Sequence, residues 1–255
     1  MNIQKFIPLL SIIFTFFFST CSGAVGSYPT STPVDHSSWS RLLQKHVQEN
    51  GRINYEGFKE DEQAFQEYLD LLRENHPNPE TWNEAEQLAY WLNAYNAFTI
   101  ELILKNYPLK SIKDINTVNI PFVHSPWTIK FIEIQGKKYS LDNIEHDFLR
   151  KEFEEPRIHF AIVCASISCP NLRREAYTAQ QINQQLQEEA IAFINDPSKN
   201  KIGKNEVQLS KVFSWFKGDF TKNGSLINFI NQYSKIKIEE GAEIDYLDYN
   251  WALNE

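Results

Sequence analysis

Cysteine is scarce in this chain: three residues among 255, at positions 21, 164 and 169. Basic charge is also short, with 25 Lys and Arg against 33 Asp and Glu. No basic stripe interrupts that acidic background, so the electrostatic footprint of a nucleic-acid binder is missing. Long apolar runs are confined to one place. Phe6 to Phe18, FIPLLSIIFTFFF, has 13 residues, whereas a membrane-spanning helix needs about 20. There is no internal repeat, no low-complexity run and no second linker that would divide the chain further.

The segments that are present order themselves from the N-terminus. Lys5 ahead of a short apolar core, followed by Ser19, Thr20, Cys21, Ser22 and Gly23, is the layout of a signal peptide that ends at a lipid-modified cysteine. Phe18 and Thr20 depart from the Leu and the Ala or Gly more usual before such a cysteine. The expectation is export, removal of residues 1–20 and an acyl anchor on Cys21 in a bacterial membrane. Residues 21–34, CSGAVGSYPTSTPV, are small, polar and Pro-bearing, as a flexible tether would be. A single globular domain then runs over residues 35–255. With 14% aromatic residues and six Trp, it has the means to bury a large core.

Apolar spacing predicts helices over His36–Asn50, capped by Ser37 or Ser38, over Asp61–Arg73 and over Glu84–Asn106. Further helices are expected over Asp142–Phe153, Thr178–Asn195, Val212–Phe220 and Ser225–Tyr233. Trp127–Ile134 alternates and returns through Gly136 to Lys138–Leu141 as a hairpin, Lys201–Leu209 forms a second hairpin, and Ile244–Trp251 ends the chain extended. Ile158–Cys164 is too short for a helix and reads as a buried strand. Helices and short strands mixed without βαβ regularity make an α+β fold, a helix-rich single domain packed on a small, mainly antiparallel sheet.

Three stretches carry residues suited to chemistry. In PRIHFAIVCASISCP (156–170), strand alternation would put Cys164 and His159 on opposite faces, and the small residues 165–168 could turn Cys169 back towards His159. Three readings stand. Cys164 or Cys169 is a nucleophile with His159 as its base, because an adjacent imidazole lowers a thiol pKa and carries its proton. Alternatively the two cysteines are bridged and His159 is a core residue. The third is a metal held by His159, Cys164 and Cys169 with His124 or His146, a spacing unlike familiar zinc patterns.

In YWLNAYNAF (90–98), Asn93 and Asn96 share one helix face among aromatics. They are either a polar clamp on a neighbouring loop or the groups that hold a catalytic His or a substrate amide. In LDNIEHDFLR (141–150), Glu145 could orient His159 or pair with Arg150 or Arg157; Glu145 and His146 should point to different faces. WFKGDF (215–220) and YLDYNWALN (246–254) read as core, with Asp219 and Asn254 as caps or clamps. No cofactor is implied.

YWLNAYNAF, LDNIEHDFLR, PRIHFAIVCASISCPNL with Tyr177, WFKGDF and YNWALN, in that order, resemble the domain of unknown function family numbered 547. The likeness runs from about His36 to the C-terminus. It implies an exported or lipid-anchored protein and no assigned activity. A distant fold-level similarity to papain- and transglutaminase-like cysteine enzymes is also implied, with Cys164, Cys169 and His159 in the matching motif. Those enzymes carry Cys at the start of the buried helix, where this chain has Asn93 and no cysteine, and fold analogy does not carry function.

Two functions follow as expectations. One is an envelope-facing thiol hydrolase or acyl/amide transferase, with Cys169 or Cys164 as nucleophile, His159 as base and Asn93, Asn96 or Glu145 orienting. The other is a non-catalytic binding or scaffolding domain with a Cys164–Cys169 disulfide, taking a small-molecule or peptide ligand in an aromatic groove.

Overall fold

A computed structural model describes residues 31–115 and 125–255. The expected signal peptide and acylated Cys21, and the reading of His124 as a metal ligand, lie outside those residues. The N-terminal part is a helical layer: α1 (Ser37–His46), α2 (Tyr55–Glu60), α3 (Glu62–Glu74) and the long α4 (Glu84–Asn106). α4 matches the expected bounds, and its start is fixed by local chemistry. Asn83 accepts from the Glu86 amide at 3.0 Å, and the Glu86 carboxylate accepts from the Asn83 amide at 2.8 Å. α1 differs from expectation at its cap: neither Ser37 nor Ser38 serves. Asp35, two positions upstream of Ser37, accepts from its amide and its hydroxyl, both at 2.9 Å.

The middle of the chain holds fewer strand residues than its alternation suggests. Pro126–Thr128 is a 3-10 turn, because Pro at its first position has no N–H to give a ladder. Only β1 (Ile132–Ile134) and β2 (Lys137–Tyr139) pair, antiparallel, around Gly136 at φ +76°. A continuous helical run follows: α5 (Leu141–Asn143), a π turn (Ile144–Leu149) and α6 (Arg150–Glu152). Beyond it come α7 (Ile182–Ile194), β3 (Lys201–Ile202), β4 (Glu206–Leu209), α8 (Lys211–Trp215), α9 (Lys217–Phe220), α10 (Leu226–Tyr233) and β5 (Glu243–Tyr246). β3 and β4 form the expected hairpin, and β5 joins β4 in parallel. The α+β assignment holds, with two small sheets rather than one. No helix among the described residues is long and apolar enough to cross a membrane.

Ile158–Cys164 is the main correction. It is not a strand: Pro156–Phe160 is a 3-10 turn, with Ala161 to Cys164 irregular. The backbone groups a sheet neighbour would have paired are taken by a side chain. Asn96 on α4 donates Nδ2–H to the Ala161 carbonyl and accepts from the Val163 amide, both at 2.9 Å. The segment sits between two apolar cores. Ile158, Ala161, Ile162 and Val163 pack into the larger one with α1–α4, whereas Phe160 packs with Phe193, Phe213, Phe220 and Phe229 in the smaller. An apolar run that serves two cores is continuous in sequence without being a strand.

Candidate functional site

α4 is buried along almost its whole length, so its two Asn residues must be satisfied inside the protein. Both are. Asn93 donates to the Tyr177 carbonyl at 2.8 Å and accepts from the Tyr177 amide at 3.0 Å. With Asn96 on Ala161 and Val163, the pair clamps two irregular segments onto the helix. Neither amide touches His159, so the reading in which they hold a catalytic His is corrected. Asn254 is likewise a clamp, accepting from the Tyr55 hydroxyl at 2.7 Å.

The segment that Asn96 holds leads to a cleft of about 210 Å³. Tyr95, Glu145, His146, His159, Cys164 and Cys169 line it, and its wall is Trp127, Trp215, Phe216, Tyr249 and Trp251. The wall comes from three separate stretches. Tyr249 lies 4.5 Å from Trp251 and 4.7 Å from Trp215, ring centre to ring centre, and Trp127 is 5.6 Å from Trp251. The core expectation for WFKGDF holds for Phe220, which is buried, but not for Trp215, which is 48% exposed.

The sulfurs of Cys164 and Cys169 are bonded to each other. Neither is therefore a free thiolate in this form, as the nucleophile reading requires, and the bridged reading describes the geometry. The metal reading meets the same obstacle: no group of three His, Cys, Asp or Glu among the described residues is arranged to hold an ion.

His159 is turned to other partners. Its side chain is 1% exposed, its ring stacks on Phe216 at 3.9 Å, and Nε2 lies 2.8 Å from Asp219 Oδ2. Burial lowers its pKa, only partly opposed by Asp219, so the ring is neutral and donates Nε2–H to that carboxylate. Nδ1 is buried and without a hydrogen-bond partner among the described residues.

Asp219, not Glu145, is thus the orienting carboxylate, and Arg150 pairs with Asp219 rather than with Glu145. Arg150 Nε donates to Oδ2 at 2.6 Å and Nη2 to Oδ1 at 3.2 Å. The His159 hydrogen bond, followed by that of Arg150, holds the Asp219 carboxyl far below the ordinary range. One sign of this role is local, a lone acid inside the aromatic WFKGDF stretch, but nothing in that stretch points to a partner sixty positions away.

Arg150 also donates to His146 Nδ1 at 2.8 Å, which leaves His146 Nε2–H for Asp142, 3.3 Å away. The π turn alters the expected geometry here. A wider turn places successive residues closer in angle, and Glu145 and His146 both reach the cleft instead of pointing apart. Glu145 accepts from Tyr95 at 3.4 Å, and burial pushes its carboxyl up to about 7. The cleft thereby combines flat apolar walls, a carboxyl that titrates near neutrality and a sulfur bridge.

No curated protein and no solved structure matches this chain. The motifs WFKGDF and YNWALN fall beyond the part that a family model covers. Residues 79–194 match the family model described as "Protein of unknown function, DUF547".

Proposed function

We propose that this protein is a membrane-anchored recognition domain of the cell envelope, binding its ligand in the aromatic cleft without covalent chemistry. The observation that carries this reading is a single juxtaposition: four aromatic side chains, Trp127, Trp215, Tyr249 and Trp251, stand over a closed Cys164–Cys169 bridge. Flat rings contribute large contact area at small entropic cost, and a few convergent polar groups then set orientation. Here those groups are Glu145 and the hydroxyls of Tyr95 and Tyr249. They suit a small molecule or peptide segment that has one flat apolar face and a hydrogen-bond donor for Glu145.

A thiol hydrolase or transferase would need a free sulfur beside an accessible base. The sulfurs are bonded together, and the unpaired nitrogen of His159 is sealed from solvent. Those two features favour recognition over catalysis.

Ligand-observed NMR with a set of aromatic and sugar fragments tests the cleft. Fragments that bind the purified protein should lose binding in Trp215→Ala, whose fold is retained; binding that survives Trp215→Ala and Trp251→Ala alike would remove the cleft from the account. The anchor has its own test. Metabolic labelling with a palmitate analogue should mark the wild type and not Cys21→Ser, and an unlabelled wild type would retire the lipid.

A further inference from the structure

The bridge in the cleft is not symmetric. Both cysteines line the cleft, but Cys169 is 1% exposed whereas Cys164 is only partly buried. Of the two, Cys164 is therefore the residue more open to a thiol arriving from solvent through the cleft. Around the other sulfur the protein has gathered donors. The Cys164 backbone amide donates to Cys169 Sγ alone, at 3.0 Å, while the Tyr249 hydroxyl stands 3.2 Å from both sulfurs and can donate to the one that takes the charge. Ser166 Oγ donates in turn to the Tyr249 oxygen at 3.2 Å, a chain that strengthens the tyrosine as a donor. Burial raises Tyr249 to about 12, so it keeps its proton at neutral pH. A sulfur in a disulfide gains little from such donors, but a thiolate leaving from one gains much more, since hydrogen bonds to an ionised acceptor are the strong ones.

The loop itself is tied down independently of the bridge. The amides of Ile167 and Ser168 donate to the carbonyls of Ala252 and Asn250, at 2.8 and 3.2 Å, and the Cys169 amide donates to the Ser166 carbonyl at 3.1 Å. Lys199 Nζ donates to the Ile167 carbonyl. Opening the bridge leaves these bonds in place, so the two sulfurs stay neighbours and can close again.

We propose that Cys164–Cys169 is an exchange-active disulfide, reduced by a dithiol that attacks Cys164 Sγ from the cleft with Cys169 as the leaving thiolate. The incoming thiolate bonds to Cys164 Sγ while the bond between the two cysteines breaks, and its electron pair goes to Cys169 Sγ. The second thiol of the dithiol gives up its proton and displaces Cys164 Sγ from the mixed disulfide. The dithiol ends as a disulfide; the protein has gained two electrons and two protons, one proton on each sulfur. This step does not depend on which ligand the aromatic wall takes, and it opens or closes the floor of the site that binds it.

The test compares folded and unfolded protein. Oxidised full-length chain is treated with dithiothreitol at pH 7, with and without guanidinium, then acid-quenched, alkylated and read by mass spectrometry. The folded protein should be reduced at least as fast as the unfolded chain. Tyr249→Phe should slow reduction of the folded form about tenfold and leave the rate in guanidinium unchanged; if that variant does not fold, Ser166→Ala supplies the same readout. Incubation with glutathione disulfide assigns the sulfurs: folded Cys169→Ser should take up glutathione on Cys164, and folded Cys164→Ser should not take it up on Cys169. A bridge reduced more slowly folded than unfolded, or a rate indifferent to both hydroxyls, would overturn the proposal.

Discussion

Two sets of buried polar groups bear on the segment 158–164, and they behave differently. On α4, the amides of Asn93 and Asn96 are used in both directions, each donating to one backbone group and accepting from another. At the cleft, His159 keeps one nitrogen unpaired and Glu145 has a single long hydrogen bond, while Asp219, outside the cleft lining, holds the other nitrogen of His159. Saturated polar groups hold a fold together, whereas groups with spare capacity mark where a ligand or a proton is to be accommodated.

The largest effect should come from the saturated side. Asn96→Ala strands the Val163 amide, at about 1–3 kcal/mol, and leaves the Ala161 carbonyl only a long bond from the Tyr177 hydroxyl at 3.5 Å, so urea unfolding should show a loss of about 2–4 kcal/mol. A loss below about 1 kcal/mol would mean that the clamp is replaceable and the contrast false. On the cleft side, the next effect is a pH dependence. Burial raises the folded Glu145 pKa to about 7, above its ordinary value of 4.5, so its contribution to stability is present below pH 4.5 and lost as pH rises through 7. Glu145→Gln removes that loss. The stability difference between variant and wild type should shift in the variant's favour by up to about 3 kcal/mol between pH 4 and pH 8.

How far these two regions could be read beforehand follows from the reach of their interactions. α4 was legible to its ends, since its acidic first turn, its apolar spacing and Asn83 with Glu86 are all local. The β1–β2 hairpin was legible through Gly136 for the same reason. The cleft was not. Its wall unites Trp127, Trp215 and Tyr249 from stretches about ninety and thirty positions apart, and its orienting acid lies sixty positions from the His it holds. The 158–164 run misled because its apolarity reflects two cores, and because the groups that make a strand were claimed by Asn96. Cys164 and Cys169, five apart, allowed a bridge without requiring one.

Smaller effects sharpen the same contrast. The Asp219 carboxyl has a folded pKa below its unfolded value, so its contribution is present above pH 4 and lost as pH falls through the folded pKa. Asp219→Asn should therefore flatten the acid limb of the stability curve and cost about 1 kcal/mol at pH 7, a modest figure because solvent reaches the carboxylate. Smallest of all, Trp215→Ala should change unfolding stability by less than about 1 kcal/mol, as expected for a half-exposed ring, while removing the binding of aromatic fragments. A Trp215→Ala variant that unfolds would place that ring in the core after all.

Both the recognition reading and the exchange chemistry start from the state of two sulfurs, and one peptide reports it. Trypsin releases residues 158–173 as a single fragment containing Cys164 and Cys169. Protein purified without reductant and alkylated under denaturing conditions should yield that fragment unalkylated and two hydrogens lighter than its dithiol form. A fragment carrying two alkyl groups would show free thiols, and would return Cys164 and Cys169 to the nucleophile reading.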